Sequence, residues 1–125
     1  PLESSRFAGR VLVLNFWATW CSPCVAEMPN LQRLRERTSD FEVQFALVTR
    51  ESSDVVKKFQ EKRGTDLPIY LLPGDVPECF QSRAIPGTFV LDKNGFIALR
   101  HFGAAKWDDE NVVNFIRGLA VKPAV

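Results

Sequence analysis

The sequence has little of what identifies several classes of protein. Only three of its 125 residues are cysteine, too few for a scaffold of this size to be held together by disulfides. Sixteen basic residues nearly balance fifteen acidic ones, without a basic block, so nucleic acid is not an expected partner. Uninterrupted apolar runs reach strand length, as at Val11–Leu14, and fall far short of the roughly 20 residues that span a bilayer.

The remaining composition is that of an ordinary folded domain. Hydrophobic residues make up 46% of the chain and charged residues 25%, so a hydrophobic core must supply the stability. A length of 125 residues fits a single domain, predicted here to span residues 1–125. The sequence opens at Pro1 without a methionine or a visible signal peptide. We expect it to be a fragment of a longer protein that is exported or membrane-anchored.

Residue periodicity predicts an alternating order of strands and helices. Short apolar or alternating segments predict strands at residues 10–17, 41–48, 67–72, 88–92 and 96–102. Helical spacing predicts helices at 22–37, from a Ser53 cap to Gly64, near Glu78 to Ser82, and after an Asp108 cap. Right-handed crossovers make the first three strands parallel, and the last two form an antiparallel hairpin. The predicted fold class is α/β, a mixed sheet with helices on both faces.

Finer features of these elements are also predicted. Pro29 lies inside the first helix and should kink it. Asn94-Gly95 favours a hairpin turn with positive φ at both residues. The residues expected to face the core are Val55, Val56 and Phe59 in the second helix, and Val112, Phe115, Ile116 and Leu119 in the last.

Cys21 and Cys24 lie where the first strand passes into the first helix. A thiol at a helix start faces unpaired backbone N–H groups and the positive end of the helix dipole, which favour the thiolate. Cys24 follows by nearly one helical turn, so the two sulfurs can form a disulfide and Cys24 should be the less exposed. Pro23 lies where the helix loses nothing by a missing N–H. The pattern predicts disulfide exchange in which Cys21 attacks and Cys24 resolves.

Three stretches of the sequence resemble the thioredoxin superfamily, in its TlpA/ResA-type thiol-disulfide branch. They are "NFWATWCSPCVAEMP" at 15–29, "AIPGTFVLDKNG" at 84–95 and "HFGAAKWDDENVVNFI" at 101–116. The resemblance covers most of the chain, from about Ser5 to Leu119, and implies a thioredoxin-like fold.

The resemblance also implies roles for individual residues. Pro86 matches a cis-proline facing the cysteine pair, and the Ile85 backbone would pair with an extended partner chain. Trp20 would shape the docking surface beside Cys21, together with Ser22 and Pro23. Glu27 matches a carboxylate near the buried cysteine that helps to move its proton, and partial burial would raise its pKa. Asn15 stands where thioredoxin has a buried Asp, so that role is absent or passes to Glu27.

Other interpretations of these residues remain open from sequence alone. The cysteine pair could be an inert disulfide, or could bind copper(I) as a carrier. Zinc needs four ligands, and only Cys79 and His101 would remain to complete such a site. Glu27 could be a solvated helix residue, and Pro86 could be trans. Cys79 could be a buried hydrophobe, an accessory thiol or a pairing partner for another protein. Trp17 is expected in the core, Trp107 is expected to anchor the last helix with a purely structural role, and His101 is expected to be a surface or hairpin residue.

The resemblance implies an enzyme without a bound cofactor, a thiol-disulfide oxidoreductase that exchanges disulfides with protein cysteines. It suggests reducing work outside the bacterial cytoplasm, in the periplasm, such as preparing apocytochrome c for haem attachment. An upstream membrane thiol reductant would then recharge the protein, which we expect to be a monomer. The alternatives are the copper(I) carrier and a regulatory module that uses its disulfide as a switch.

Overall fold

A five-stranded mixed sheet with three helices forms the fold, in a computed structural model that describes residues 7–72 and 84–125. The strands are β1 (Val11–Phe16), β2 (Val43–Thr49), β3 (Ile69–Leu71), β4 (Gly87–Leu91) and β5 (Ile97–Phe102). The helices are α1 (Ser22–Arg37), α2 (Ser53–Arg63) and α3 (Glu110–Val121). The short helix predicted near Glu78 to Ser82, and Cys79 within it, lie outside the described residues.

The strand order in the sheet is β3-β2-β1-β4-β5. β1 is parallel to β2, and β2 is parallel to β3, as the crossover rule predicted. β4 runs antiparallel to both β1 and β5. The predicted mixed α/β sheet is therefore confirmed, and β1 lies at its centre.

Alternation along β1 divides the core into two apolar clusters, one on each face of the sheet. Val11 and Val13 belong to the first cluster, and Leu12 and Leu14 to the second. All three described helices contribute side chains to the first cluster, among them Leu31, Phe59 and Ile116. Within the described residues, the second cluster is built from strands and connecting segments, so these residues show helices packed on one face of the sheet, where the sequence predicted them on both. Both faces of β1 are thus buried, which accounts for its continuous run of Val and Leu.

The helix caps lie one residue from the predicted positions. Ser52 rather than Ser53 caps α2, its Oγ accepting from the Val55 N–H at 3.4 Å. Asp109 rather than Asp108 caps α3, accepting from the Asn111 N–H at 2.9 Å. In both cases two suitable capping residues are adjacent, and the sequence does not say which one leaves the helical conformation.

The buried faces of two helices differ in part from the prediction. Val55 is 42% exposed and Phe115 is 39% exposed, so neither belongs to the buried stripe. Val56 and Ile116 are buried as predicted, and Phe59, Val112 and Leu119 pack partly against the first cluster. Val113 and Ala120 are the buried residues of α3 that the prediction missed. The packing of each helix selects one of two overlapping apolar stripes.

The β4–β5 hairpin is present, but its turn differs from the prediction. Gly95 has a positive φ of 86°, as predicted. Asn94 does not, because among the described residues only glycines have a positive φ. The Asp92 carboxylate accepts from the N–H groups of Asn94 and Phe96 at 2.9 and 3.0 Å. Asp92 therefore satisfies the turn's donors, and Asn94 does not need the left-handed conformation.

Candidate active site

The cysteine motif begins at the carboxyl end of β1, the central strand. Four residues connect β1 to Cys21, which is the N-cap of α1. The Trp17 N–H donates to the carbonyl of Val48 at 3.1 Å, and the Cys21 N–H donates to that of Ala18 at 3.1 Å. The strand and a tight turn thus deliver Cys21 to the helix start, as predicted, and α1 has the predicted bounds of 22–37.

Cys21 and Cys24 are joined by a disulfide, with their Cα atoms 5.2 Å apart. The Cys24 N–H donates to Cys21 Sγ at 3.3 Å, so one of the unpaired donors of the helix start is aimed at this sulfur. Cys21 is 5% exposed and Cys24 is 1% exposed, which confirms that Cys24 is the more buried. A sulfur at this position is stabilised as a thiolate by the same donor once the disulfide is reduced.

The residues flanking Cys21 are open to solvent. Trp20 is 74% exposed, an unusual state for a side chain of its apolar area. Ser22 and Pro23, in the first turn of α1, are also exposed. A nearly buried disulfide is therefore bordered by exposed residues.

Ile85 and Pro86 lie at the same end of the sheet as the cysteine pair. Gly87, the first residue of β4, pairs with Phe16, the last residue of β1. Pro86 therefore lies beside the start of the loop that leads from β1 to Cys21. The Ile85–Pro86 peptide bond is cis. The Pro86 carbonyl accepts from the Gly103 N–H at 2.7 Å, and Ile85 packs against the apolar cluster that contains both cysteines. Two segments more than 60 residues apart in sequence therefore converge here.

Glu27 is buried under the cysteine motif and is 2% exposed. It lies with Cys24 on the inner side of α1, three residues further along, where neighbouring Cβ atoms are about 5–6 Å apart. Its Oε1 accepts from Asn15 Nδ2 at 3.1 Å. Its Oε2 accepts from the Ala105 N–H at 3.1 Å and from Trp107 Nε1 at 2.9 Å. Glu27 is thus a buried carboxylate bound by three N–H donors, and the solvated-helix interpretation is wrong.

Burial raises the pKa of the Glu27 carboxyl above its ordinary value, because the charged form loses its hydration. The hydrogen bonds from Trp107, Ala105 and Asn15, and the nearby His101, oppose this rise. The resulting carboxyl holds a proton more tightly than a solvated one does, yet has enough donors to bear a charge. Such a group can take up and release a proton.

Asn15 connects Glu27 to the strand that follows Pro86. Its Nδ2 also donates to Thr88 Oγ1 on β4 at 2.8 Å, and both residues are buried. The amide nitrogen of Asn15 thus donates to Glu27 Oε1 and to Thr88 Oγ1. A carboxylate can only accept hydrogen bonds, so the amide must present its nitrogen to Glu27. Asn15 therefore acts as a donor to the acidic group, a role that the comparison with thioredoxin's Asp did not predict.

Trp107, expected from the sequence to have a purely structural role, is a further hydrogen-bond partner of Glu27. It is 2% exposed, and His101 packs edge-on against its ring with centroids 5.6 Å apart. Its Nε1 reaches Glu27 across 80 residues of sequence. A buried indole N–H usually has an acceptor, and this tendency is the signal in the sequence that could have suggested a polar partner for Trp107.

The remaining candidates divide between core and surface. Trp17 is 3% exposed and packs against Phe59, as expected for a core residue. His101 is exposed on β5. In the part of the chain that the structure describes, no three His, Cys, Asp or Glu side chains cluster as a metal site. Within the same residues, no helix has the length and apolar character needed to cross a membrane.

Comparison with known proteins agrees with the geometry. The family model of the AhpC/TSA family matches residues 1–100. Thiol-disulfide oxidoreductase ResA from Geobacillus kaustophilus is 37% identical over 93 residues, which are 73% of this chain and 53% of that protein. The chain spans about half the length of the curated relatives it matches.

Solved structures share the fold over most of the chain. A thiol:disulfide interchange protein DsbE from Chlorobium tepidum superposes with a TM-score of 0.81 at 25% identity, covering 93% of this chain and 84% of that one. StoA from Bacillus subtilis superposes with a TM-score of 0.69 at 26% identity, covering 78% and 77%. The thioredoxin-like fold and the ResA-type resemblance are thereby confirmed. Because the family model covers most of the chain, the chain belongs to the AhpC/TSA family, and it is similar to ResA-type, thioredoxin-like proteins.

Proposed function

We propose that this domain is a thiol-disulfide oxidoreductase that reduces disulfides in other proteins through Cys21 and Cys24. The observation that carries the proposal is the Cys21–Cys24 disulfide at the start of α1, nearly buried but bordered by exposed residues. Curated relatives named thiol-disulfide oxidoreductase support it. The pair itself stores the two electrons, so the proposed reaction needs no bound cofactor.

The reaction starts from the reduced pair. The Cys21 thiolate, stabilised by the N–H groups of the helix start, attacks one sulfur of the partner's disulfide. A bond forms between Cys21 Sγ and that sulfur, and the partner's other sulfur leaves as a thiolate with the electron pair. The product is a mixed disulfide between the two proteins.

The second exchange releases the partner and uses Glu27. The Cys24 thiol loses its proton to the Glu27 carboxylate, and the new thiolate attacks Cys21 Sγ. The Cys21–Cys24 bond forms, the bond between Cys21 Sγ and the partner breaks, and the partner sulfur that Cys21 had attacked leaves as a thiolate. The partner has then gained two electrons, and the domain is in the oxidised state of the present structure. The raised pKa of Glu27 suits this step, because a base is most effective when its pKa approaches that of the donor.

The docking surface in this proposal comprises Trp20, Ser22, Pro23, Ile85 and Pro86. Trp20 supplies exposed aromatic area next to Cys21. Among the described residues, no hydrogen bond uses the N–H or C=O of Ile85, so both groups remain for an extended partner chain. A partner pairing there would pass along the end of the sheet that carries the cysteines.

The substrate class and setting follow from the resemblance. We propose that the partners are protein thiols and disulfides, with apocytochrome c as the candidate substrate. An upstream membrane thiol reductant would restore the reduced pair. The proposed location is extracytoplasmic, in the periplasm, with the full-length protein anchored to the membrane. The domain is proposed to act as a monomer and to bind no nucleic acid.

Substitution of each cysteine tests the proposed function, in a Cys79→Ser background so that only the pair reacts. Cys21→Ala should abolish reduction of insulin disulfides and leave the far-ultraviolet circular dichroism unchanged, because the attacking sulfur is gone. Cys24→Ser should capture substrates as stable mixed disulfides, which mass spectrometry can identify. Insulin reduction retained by Cys21→Ala would contradict the assignment. One bound copper per wild-type chain without turnover would favour the copper(I) carrier instead.

A further inference from the structure

Glu51, just after β2, bonds to the segment that precedes the cysteine pair. Its Oε1 accepts from the Thr19 backbone N–H at 2.8 Å, and its Oε2 accepts from the Thr19 hydroxyl at 2.6 Å. Oε1 also accepts from the hydroxyl of Thr49, the buried last residue of β2, at 2.8 Å. Both carboxylate oxygens therefore tie the residue before Trp20 to the end of a core strand.

The cysteines are held independently of Glu51. Cys21 is fixed as the N-cap of α1, where its carbonyl accepts from the Val25 N–H at 3.1 Å and its sulfur is bonded to Cys24. Trp20, in contrast, is 74% exposed, so its place depends on its backbone neighbours. Loss of Glu51 should free the Thr19–Trp20 backbone more than the sulfur of Cys21.

An exposed aromatic side chain binds a partner more tightly when its backbone is already ordered. Ordering a residue's backbone on binding costs free energy, and the free protein avoids that cost if the order exists beforehand. The Ala18–Cys21 turn already restricts this backbone, and the Glu51 carboxylate adds to that order through two hydrogen bonds to Thr19. A charged acceptor makes such bonds stronger than neutral ones.

We propose that Glu51 is a positioning residue that holds Trp20 ready for a docking protein substrate. The inference rests on the proposed function, whose docking surface includes Trp20. It assigns Glu51 no contact with the reacting sulfurs. Glu51 should therefore affect the recognition of a polypeptide and leave the exchange chemistry of Cys21 almost unchanged.

Comparison of a protein substrate with a small one tests this division. For Glu51→Ala, we expect the KM for insulin to rise about tenfold, the effect of losing about 1.4 kcal/mol of ordering, with kcat changed less than twofold. Reduction of a small aromatic disulfide, which needs no polypeptide docking, should stay within about twofold of wild type. Glu61→Ala, an exposed glutamate on α2, is the matched control and should change neither substrate. Equal losses for both substrates would overturn the inference.

Conservative variants separate geometry from general stability. Glu51→Gln should restore most of the insulin KM, because its oxygen can accept from Thr19 and Thr49 while its amide donates to the Thr19 hydroxyl. Thr19→Ser should behave as wild type, and Thr19→Val should show an intermediate KM because only the hydroxyl contact is lost. A KM that follows the melting temperature of these variants, rather than their hydrogen bonds, would contradict a positioning role.

A double-mutant cycle shows whether Glu51 acts through Trp20. If it does, Glu51→Ala should add less than about twofold to the insulin KM once Trp20→Ala is present, since coupled residues are not additive. Independent, multiplicative effects would overturn the inference.

Backbone dynamics provide a measurement that needs no activity. In Glu51→Ala, the heteronuclear NOE of the Thr19 and Trp20 amides should fall while that of the Cys24 amide stays high. Unchanged values at Thr19 and Trp20 would overturn the inference even if insulin is reduced. Failure of the wild type to reduce insulin, with the NOE change present, would overturn the proposed function instead.

Discussion

At the residue scale, Glu27 has an asymmetric set of partners that fixes where its proton can sit. All three of its hydrogen-bond partners are N–H donors, and none can accept a proton from the neutral acid. Oε2 receives two donors, which occupy both of its lone pairs, whereas Oε1 receives one. A proton therefore binds at Oε1, the oxygen beside Asn15, without displacing a hydrogen bond.

The Trp107→Phe substitution should raise the pKa of Glu27 further. It removes an N–H that stabilises the charged carboxylate, while the Phe ring keeps much of the apolar cover. The pH dependence of the carboxyl infrared band, assigned by difference from Glu27→Gln, measures this pKa. The alkaline shift should also appear in the pH profile of disulfide exchange.

The control for this change is Trp17→Phe, which alters a buried tryptophan that packs against Phe59 and has no bond to Glu27. It should leave the Glu27 titration in place. An unchanged or lower pKa in Trp107→Phe would show that burial by the indole outweighs its hydrogen bond.

At the scale of elements, the end of α2 depends on a backbone conformation that glycine alone adopts easily. Gly64 has φ of 62° and ψ of 40°, and its N–H donates to the Gln60 carbonyl at 2.9 Å. Gly118 lies inside α3, without a positive φ. A Cβ at either position meets no other heavy atom within 4 Å, so the backbone alone distinguishes them.

The two glycines should therefore respond to alanine with opposite signs. Gly64→Ala should lower the free energy of unfolding by about 1 kcal/mol, because a left-handed conformation is strained for a residue with a Cβ. Gly118→Ala should raise it by about 0.5–1 kcal/mol, because alanine loses less backbone entropy in a helix. Urea unfolding of both variants measures the difference. Stabilisation by Gly64→Ala would contradict the observed helix end.

Sequence periodicity predicted the strands and helices well, but it predicted less well which residues cap each helix and which face the core. The bounds of α1 and the strand order along the chain follow from local spacing, because each depends on a short segment. Ser52, Asp109 and Val113 took places predicted for the neighbouring residues Ser53, Asp108 and Val112. Periodicity fixes the repeat of a pattern, whereas the phase is decided by packing against another element.

Local residue patterns predicted the site only where its residues are close in sequence, whereas the place of Pro86 came from the family resemblance. Cys21, Cys24 and Glu27 occupy one helix, so their common side follows from helical geometry. Trp107 and Glu51 are brought to the motif from distant segments, across 80 and 32 residues respectively to their partners. These contacts depend on the sheet order and on how α3 approaches α1, which no local pattern specifies.

At the scale of the whole molecule, Glu27 makes folding sensitive to pH. Its carboxyl has an ordinary pKa of 4.5 and a raised one in the fold. Between these two values the folded chain holds a proton that the unfolded chain has released. The free energy of unfolding therefore falls as the pH rises through that window, and it becomes constant above the folded pKa.

Glu27→Gln should remove this dependence, since the amide has a similar shape and does not titrate. The difference in unfolding free energy between wild type and Glu27→Gln should be constant below about pH 4, then shift against the wild type by about 1.4 kcal/mol for each unit by which the fold raises the pKa. Urea unfolding of the oxidised proteins at a series of pH values measures it, and Glu61→Gln should show no such change. A difference that moves in favour of the wild type with rising pH would mean that the three N–H donors outweigh burial, leaving Glu27 a permanent charge rather than a carrier of the Cys24 proton.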